Sequence, residues 1–189
     1  MFSRCLKRSL LTLTVTTLTA CVADNESPYA RFAAFFRFTP VTAAPSSLLP
    51  ALTSPGEWCY VSIQGTSYQF KSSTGKVDTY PKTALAQYGT TLWIGGLLVG
   101  TPTVPEIGAT APAPICYDIV CPNCFEEDGI QRSVTVSSAS IGRATCSRCH
   151  RTYDLLNSGV VVEGATSARD SRLYRYLCHY VNNTFVVQN

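Results

Sequence analysis

Two Cys-x-x-Cys pairs constrain this chain more than any other feature. The segment CPNC at Cys121 to Cys124 is answered 22 residues later by CSRC at Cys146 to Cys149. A Cys-x-x-Cys turn aims two sulfurs at one point while nearby backbone amides offset their charge. Two such turns facing each other form a tetrahedral cage with each sulfur about 2.3 Å from Zn²⁺, and the same ligand set suits iron–sulfur chemistry. Pro122 stiffens the first turn. The strand-like runs ICYDIV and GRAT lead straight into Cys121 and Cys146, so both pairs are expected in loops at strand ends. Two other chemistries use some of the same residues. In an oxidising compartment the four thiols can close as two disulfides. CSRCH also spells the attachment motif of a c-type haem, with His150 as axial ligand. A small cytochrome ranks last, because it gives Cys121 and Cys124 no role and leaves only His179 as the opposite ligand.

The N-terminus bears on the compartment. A basic start, MFSRCLKRS, precedes 11 apolar or hydroxyl residues from Leu10 to Ala20. That run is too short for a bilayer, which needs roughly 20 residues, and suits the core of an export signal. LTAC at Leu18 to Cys21 resembles the bacterial lipobox, in which the signal is cut before the cysteine and that cysteine receives the lipid. The resemblance implies a signal peptide over residues 1–20, lipid on Cys21 and a tether over 21–30. It places the chain in a bacterial cell envelope, held to a membrane on the periplasmic or cell-surface side. A plain secretory signal that ends near a cysteine is the alternative. Cys5 leaves with the leader, so seven of nine cysteines remain: Cys59, Cys116, Cys121, Cys124, Cys146, Cys149 and Cys178.

Residues 31–189 suffice for one domain with its own core. The net charge is only +3, and no Lys/Arg block is interleaved with aromatics, which argues against a nucleic-acid partner. Short β-branched and aromatic runs recur along the chain. FAAFFRF enters a sheet. EWCYVSIQ and YQFKS, split by GTS, read as a hairpin, and TTLWIGGLLVG reads as two buried strands or one bulged strand. The Pro-rich TPTVPEIGATAPAP is a loop. QRSVTVSS, GVVVEG, RLYRYLCHY and FVVQN are further strands, the last two joined by a turn at VNNT. One helix is expected at PKTALAQYG. The pattern predicts an all-β antiparallel sandwich.

Cys59, Cys116 and Cys178 fall in predicted strands, as buried thiols or with two of them in a disulfide. Glu126, Glu127 and Asp128 read as a solvated turn before Gly129. With only two histidines there is no credible nucleophile and base constellation, and enzyme activity is not expected.

From about Gly95 to Asn189 the residues carry a further pattern. Cys146, Tyr153, Asp154, Gly159, Gly164 and Ala165 follow, with one extra residue before Gly159, the order Cys-x-x-His-Gly-x-x-Phe-Asp, then Gly and Gly-Pro-Ala. This resembles the second cluster loop of the Rieske domain, the family that carries a [2Fe–2S] cluster between two loops at the tip of an antiparallel sandwich. ICYDIVCPN and RLYRYLCHY with TFVV resemble the strands around those loops. The resemblance implies a Rieske-like sandwich with a small metal-binding loop subdomain over residues 116–165. The departures concern the ligands. The family's first histidine falls on Asn123 with Cys124 beside it, its second falls on Cys149, and its glycine falls on His150. Rieske potentials are high because two neutral histidines bind one iron. A site of Cys121, Cys124, Cys146 and Cys149 carries more negative charge and equally suits one Zn²⁺, with Arg148 and Arg151 to offset part of that charge. Such four-cysteine sites are mostly structural, so zinc is preferred and a [2Fe–2S] electron-transfer centre is the alternative. His150 either hydrogen-bonds a sulfur from outside the ligand set or lies on the loop surface. The expected role is non-catalytic, binding or assembling with an envelope protein partner.

If Cys21 carries the lipid, Cys21→Ser moves the chain out of the membrane fraction or leaves it unprocessed. Unchanged fractionation and an unchanged mass would exclude the anchor.

Overall fold

The computed structural model describes residues 27–43, 46–82, 90–137, 140, 142–164 and 170–189. Its elements run β1 (Phe35–Phe38), α1 (Leu48–Thr53), β2 (Trp58–Gln64), β3 (Ser67–Ser72), β4 (Val77–Pro81), β5 (Leu97–Gly100), β6 (Ile115–Asp118), α2 (Pro122–Asp128), β7 (Val134–Val136), β8 (Arg143–Cys146), β9 (Thr152–Asp154), β10 (Val160–Glu163), β11 (Arg175–Val181) and β12 (Thr184–Gln188). The all-β expectation holds. Eight strands form one antiparallel sheet in the order β1-β12-β11-β6-β5-β2-β3-β4, and β10-β9-β8-β7 form a second, four-stranded sheet. The layers are unequal: a large sheet that curls on itself, and a small one that carries half of the cysteine site.

Turn chemistry sets the hairpins. Asn182 and Asn183 take positive φ values of 48° and 61° between Val181 and Thr184, the primed-turn conformation that matches strand twist. Gly65, at φ 56°, turns β2 into β3. Curling brings the β1 edge round to the opposite edge. Phe38 meets Phe70 and Tyr80 edge-on at 5.0 and 5.2 Å, and the Ser47 hydroxyl bonds Asp78. The enclosed space is the first core, filled by Phe36, Phe38, Val61, Tyr68, Phe70, Val99 and Phe185 and covered by Leu48, Ala51 and Leu52 of α1.

A second core lies between the other face of the large sheet and the small sheet. Strands β5 and β6 belong to both, which is why each is buried at every position. Leu97 and Val99 point into the first core and Leu98 into the second; Cys116 points into the first, Ile115 and Tyr117 into the second. Gly100 ends β5 without a side chain because the Trp58 indole lies over it: a Cβ there would come within 2.4 Å of two ring carbons and 2.7 Å of the Glu57 carbonyl.

Asp118, fully buried at the end of β6, accepts hydrogen bonds from the Ile94, Gly95 and Val120 amides and the Tyr176 hydroxyl. Burial pushes its carboxyl above the ordinary carboxylate range while these four donors oppose the shift. The carboxylate ties the turn before β5 to the segment that leads into Cys121.

FAAFFRF enters the sheet as β1, paired with β12. TTLWIGGLLVG supplies a single strand, since Gly95 and Gly96 turn the chain before β5 begins. Helix α1 and strand β4 have no counterpart in the sequence expectations. Most of the expected helix at PKTALAQYG, residues 83–89, lies outside the described residues, as do the leader, Cys21 and Ala165. Cys59, Cys116 and Cys178 are free thiols, the last donating to the Pro114 carbonyl at 3.2 Å. Among the described residues no helix is long and apolar enough to cross a membrane.

Gly100→Ala is expected to lower stability by about 1–3 kcal/mol through overpacking against Trp58. The shift in denaturant midpoint, with the slope unchanged, measures it.

Candidate metal centre

The first cysteine pair is built on a helix. Cys121 lies three residues beyond β6 with extended backbone, and Pro122 takes the first helical position of α2, where a missing N–H costs nothing. The Cys121 carbonyl accepts the Phe125 amide at 3.1 Å. Cys124 follows by three residues, so the helical turn brings its side chain round to the face of Cys121. Gly129 closes α2 in the left-handed conformation at φ 68°, its amide reaching the Cys124 and Phe125 carbonyls. The loop expected at CPNC is therefore one end of a short helix. A proline at its start and a glycine at its end make that form preferable.

The second pair lies on a tight turn between β8 and β9. Cys146 ends β8, opposite Val134 of β7. Its amide donates to the Arg151 carbonyl, and its carbonyl accepts the His150 amide at 2.9 Å. His150 closes the turn at φ 58°, and Gly164 lies so close that a Cβ there would stand 2.7 Å from the His150 oxygen.

These two supports bring the four expected ligands together. The sulfurs of Cys121, Cys124, Cys146 and Cys149 all lie within 4.8 Å of one another. Cys121 Sγ is 3.6 Å from Cys149 Sγ, and Cys124 Sγ is 3.8 Å from Cys146 Sγ. Four bonds of 2.3 Å in a tetrahedron require edges of about 3.8 Å. Both of these contacts cross between the two pairs, and the site joins α2 to the small sheet. Three of the cysteines are buried and Cys149 is partly exposed. The set is compatible with a metal ion.

Charge is distributed unevenly over the site. Burial pushes the Cys121 thiol up to about 11, against its hydrogen bonds from Tyr153 and the Cys124 amide. Burial also pushes the Cys124 thiol up, reinforced by Cys121 and Cys149. At Cys149 burial acts the same way, but the Arg151 amide and guanidinium, with hydrogen bonds from the Cys121 and Cys146 thiols, outweigh it and bring the thiol down to about 7. Arg151 is itself buried and held by Asp170 at 3.1 Å and Glu127 at 3.0 Å. Arg148, in contrast, is exposed and pairs with Asp128 at 2.7 Å.

The sequence reading missed a buried polar chain behind the sulfurs. Asn123 accepts the Ser171 amide and donates to the Ser171 carbonyl and the Tyr153 oxygen, each at 2.9 Å. Tyr153 Oη lies 3.0 Å from Cys121 Sγ. Because its oxygen accepts from Asn123 and burial keeps the phenol neutral, its proton is free to point at the sulfur. An asparagine between two ligand cysteines was the available signal. The acidic run is solvated as expected, all three side chains being exposed, but it forms the last turn of helix α2 and its carboxylates are engaged. Glu126 accepts the Tyr174 and Ser171 hydroxyls, Glu127 pairs with Arg151, and Asp128 pairs with Arg148, so all three fasten α2 to the segments that face it. His150 lies exposed at the surface of the turn.

No family model matches the chain, and neither a curated protein nor a solved structure is found similar to it.

Tyr153→Phe removes the hydroxyl and keeps the ring. Metal affinity in a chelator competition should fall about tenfold, the scale of lost support behind a ligand, with the fold intact. An unchanged affinity would show that the hydroxyl does not act on the sulfur.

Proposed function

We propose that this chain is an exported lipoprotein, held to a bacterial envelope membrane through Cys21, whose Rieske-like β domain carries one Zn²⁺ in a closed four-cysteine site. Its role is non-catalytic: to bind or help assemble an envelope protein partner. The observation that carries the reading is the compactness of the four thiols, with two crossing contacts of 3.6 and 3.8 Å and the whole set within 4.8 Å. A single ion in a tetrahedron suits that spacing. A two-iron cluster inserts two irons and two sulfides between opposite ligand pairs and spreads them farther apart. Four protein ligands fill a tetrahedral ion and leave no position for water or substrate, the signature of a structural zinc site. The thioether reading of Cys146 and Cys149 is disfavoured by the same contacts, since both sulfurs face Cys121 and Cys124.

The second reading is electron transfer through a [2Fe–2S] cluster in the Rieske position. Tyr153 and Asp154 in β9, the Gly159 and Gly164 turns and the placement of Cys146 at the end of β8 favour it, and the phenol donated to Cys121 Sγ would suit a redox centre.

Elemental analysis of natively purified protein separates the two. About one zinc per colourless chain is expected; about two irons with equal sulfide and a brown colour would establish the cluster instead. Binding of structural zinc is worth roughly 10–16 kcal/mol in small zinc peptides. Removing the ion, or Cys124→Ser, should therefore loosen the Cys146–Cys149 turn and the small sheet ahead of α2, read by loss of amide protection there.

A further inference from the structure

We propose that Val104 and Ile107, at the tip of the loop between β5 and β6, rest in the lipid surface to which the chain is anchored. The inference depends on the reading of Cys21 as the lipid-bearing residue and assigns the face that the domain turns to the membrane.

Residues 103–111 of this loop are all exposed. Val104 is 64% exposed and Ile107 fully so, which makes Ile107 the most exposed apolar side chain among the described residues. From Thr101 to Pro114 the only charged residue is Glu106. That charge is neutralised: both Glu106 oxygens accept from the buried Arg175 guanidinium, Nη2 at 2.8 Å. The loop can thus approach an apolar phase without carrying an unpaired charge into it.

The same arginine marks where the anchored end of the chain joins the fold. The Tyr29 ring lies 5.4 Å from the Arg175 guanidinium carbon, and the Ala30 amide donates to the Arg175 carbonyl at 2.8 Å. The eight residues from Cys21 to Tyr29 span at most about 28 Å when fully extended. A lipid on Cys21 therefore keeps Tyr29, Arg175 and the Glu106 loop near the bilayer whatever path those residues take. Tyrosine is an interfacial residue, apolar in its ring and wet at its hydroxyl. Two uncharged apolar tips held beside a short tether favour a lipid surface over a protein partner, which would meet them only after the membrane had.

The test uses the full lipidated chain in phosphatidylcholine vesicles with brominated acyl chains, which quench tryptophan on contact. Ile107→Trp is compared with Thr66→Trp in the exposed β2–β3 turn; Gly100, where the loop departs, pairs with Trp58 at the opposite end of β2. The signal from Trp58 and Trp93 is common to both variants and is subtracted. Expected is a loss of about half the added emission at position 107, as for a side chain at the headgroup boundary, and none at 66. Absence of quenching at 107 in a chain that floats with the vesicles, or equal quenching at both positions, overturns the proposal while the anchor stands. A chain that does not float with the vesicles overturns the anchor and this proposal with it.

Discussion

Four thiols gathered within 4.8 Å repel one another once ionised, and the structure around them answers that repulsion. Arg151 supplies the largest correction: it reaches Cys149 from a buried position and is held there by Asp170 and Glu127. Tyr153 supplies a proton to Cys121, held in line by Asn123. Arg148 lies farther out, exposed and already paired, and contributes less in water. Four thiolates with one divalent cation would leave a charge near −2, which these neighbours and the amides of two tight turns would help to offset.

The position of the site in the fold explains what a bound ion would do. Cys121 and Cys124 follow the last buried strand of the large sheet, whereas Cys146 and Cys149 belong to the small one. Apart from the cysteines, the second core between these sheets consists largely of Trp58, Leu98, Tyr117, Tyr153, Leu155 and a few aliphatic side chains. A four-stranded sheet of three- and four-residue strands has little surface to bury on its own. An ion that joined one cysteine pair from each side would be a cross-link between the small sheet and the element that follows β6.

Much of this was legible in the sequence, and the remainder was hidden for identifiable reasons. Alternation of apolar residues gave β2, β3, β11 and β12, and the spacing of four cysteines gave a site whose members meet. Helix α1 escaped because LLPALT is only six residues long and contains a proline, so its pattern is too short to show a period. Strand β4 escaped because VDTYP is a polar edge strand, and edges need no apolar face. Helix α2 was read as a loop and a turn because the ICYDIV strand runs straight into Cys121 and three consecutive acids before Gly129 suggest solvent. Their partners, Arg148, Arg151, Ser171 and Tyr174, lie 20 to 48 residues away and have no local signature. Asp118 was read as one more strand residue for the same reason, since the Ile94 and Gly95 amides that it holds belong to another segment.

Those long-range polar ties also decide how rigid the site is without an ion. Buried side chains that satisfy one another hold their rotamers, and a half-satisfied network is worse than none. Asn123 uses its oxygen and its amide on Ser171 and Tyr153, while Glu126 uses both oxygens on Ser171 and Tyr174, so the strap from Asp170 to Tyr174 is fastened to α2 at several points. Phe32, close behind the start of the described chain, packs edge-on against Phe125 of α2 and Tyr174 of the strap at 6.0 and 4.8 Å. The helix that carries Cys124 is thus braced from three directions: the strap, the small sheet through Glu127 and Arg151, and the N-terminal segment. The first two sulfurs are positioned largely by contacts that do not involve the ion. On the other side, Cys149 rides a turn closed by a single residue at positive φ and depends on Arg151 for its charge balance. An ion would therefore organise the second pair more than the first, and its loss would be felt first at Cys149.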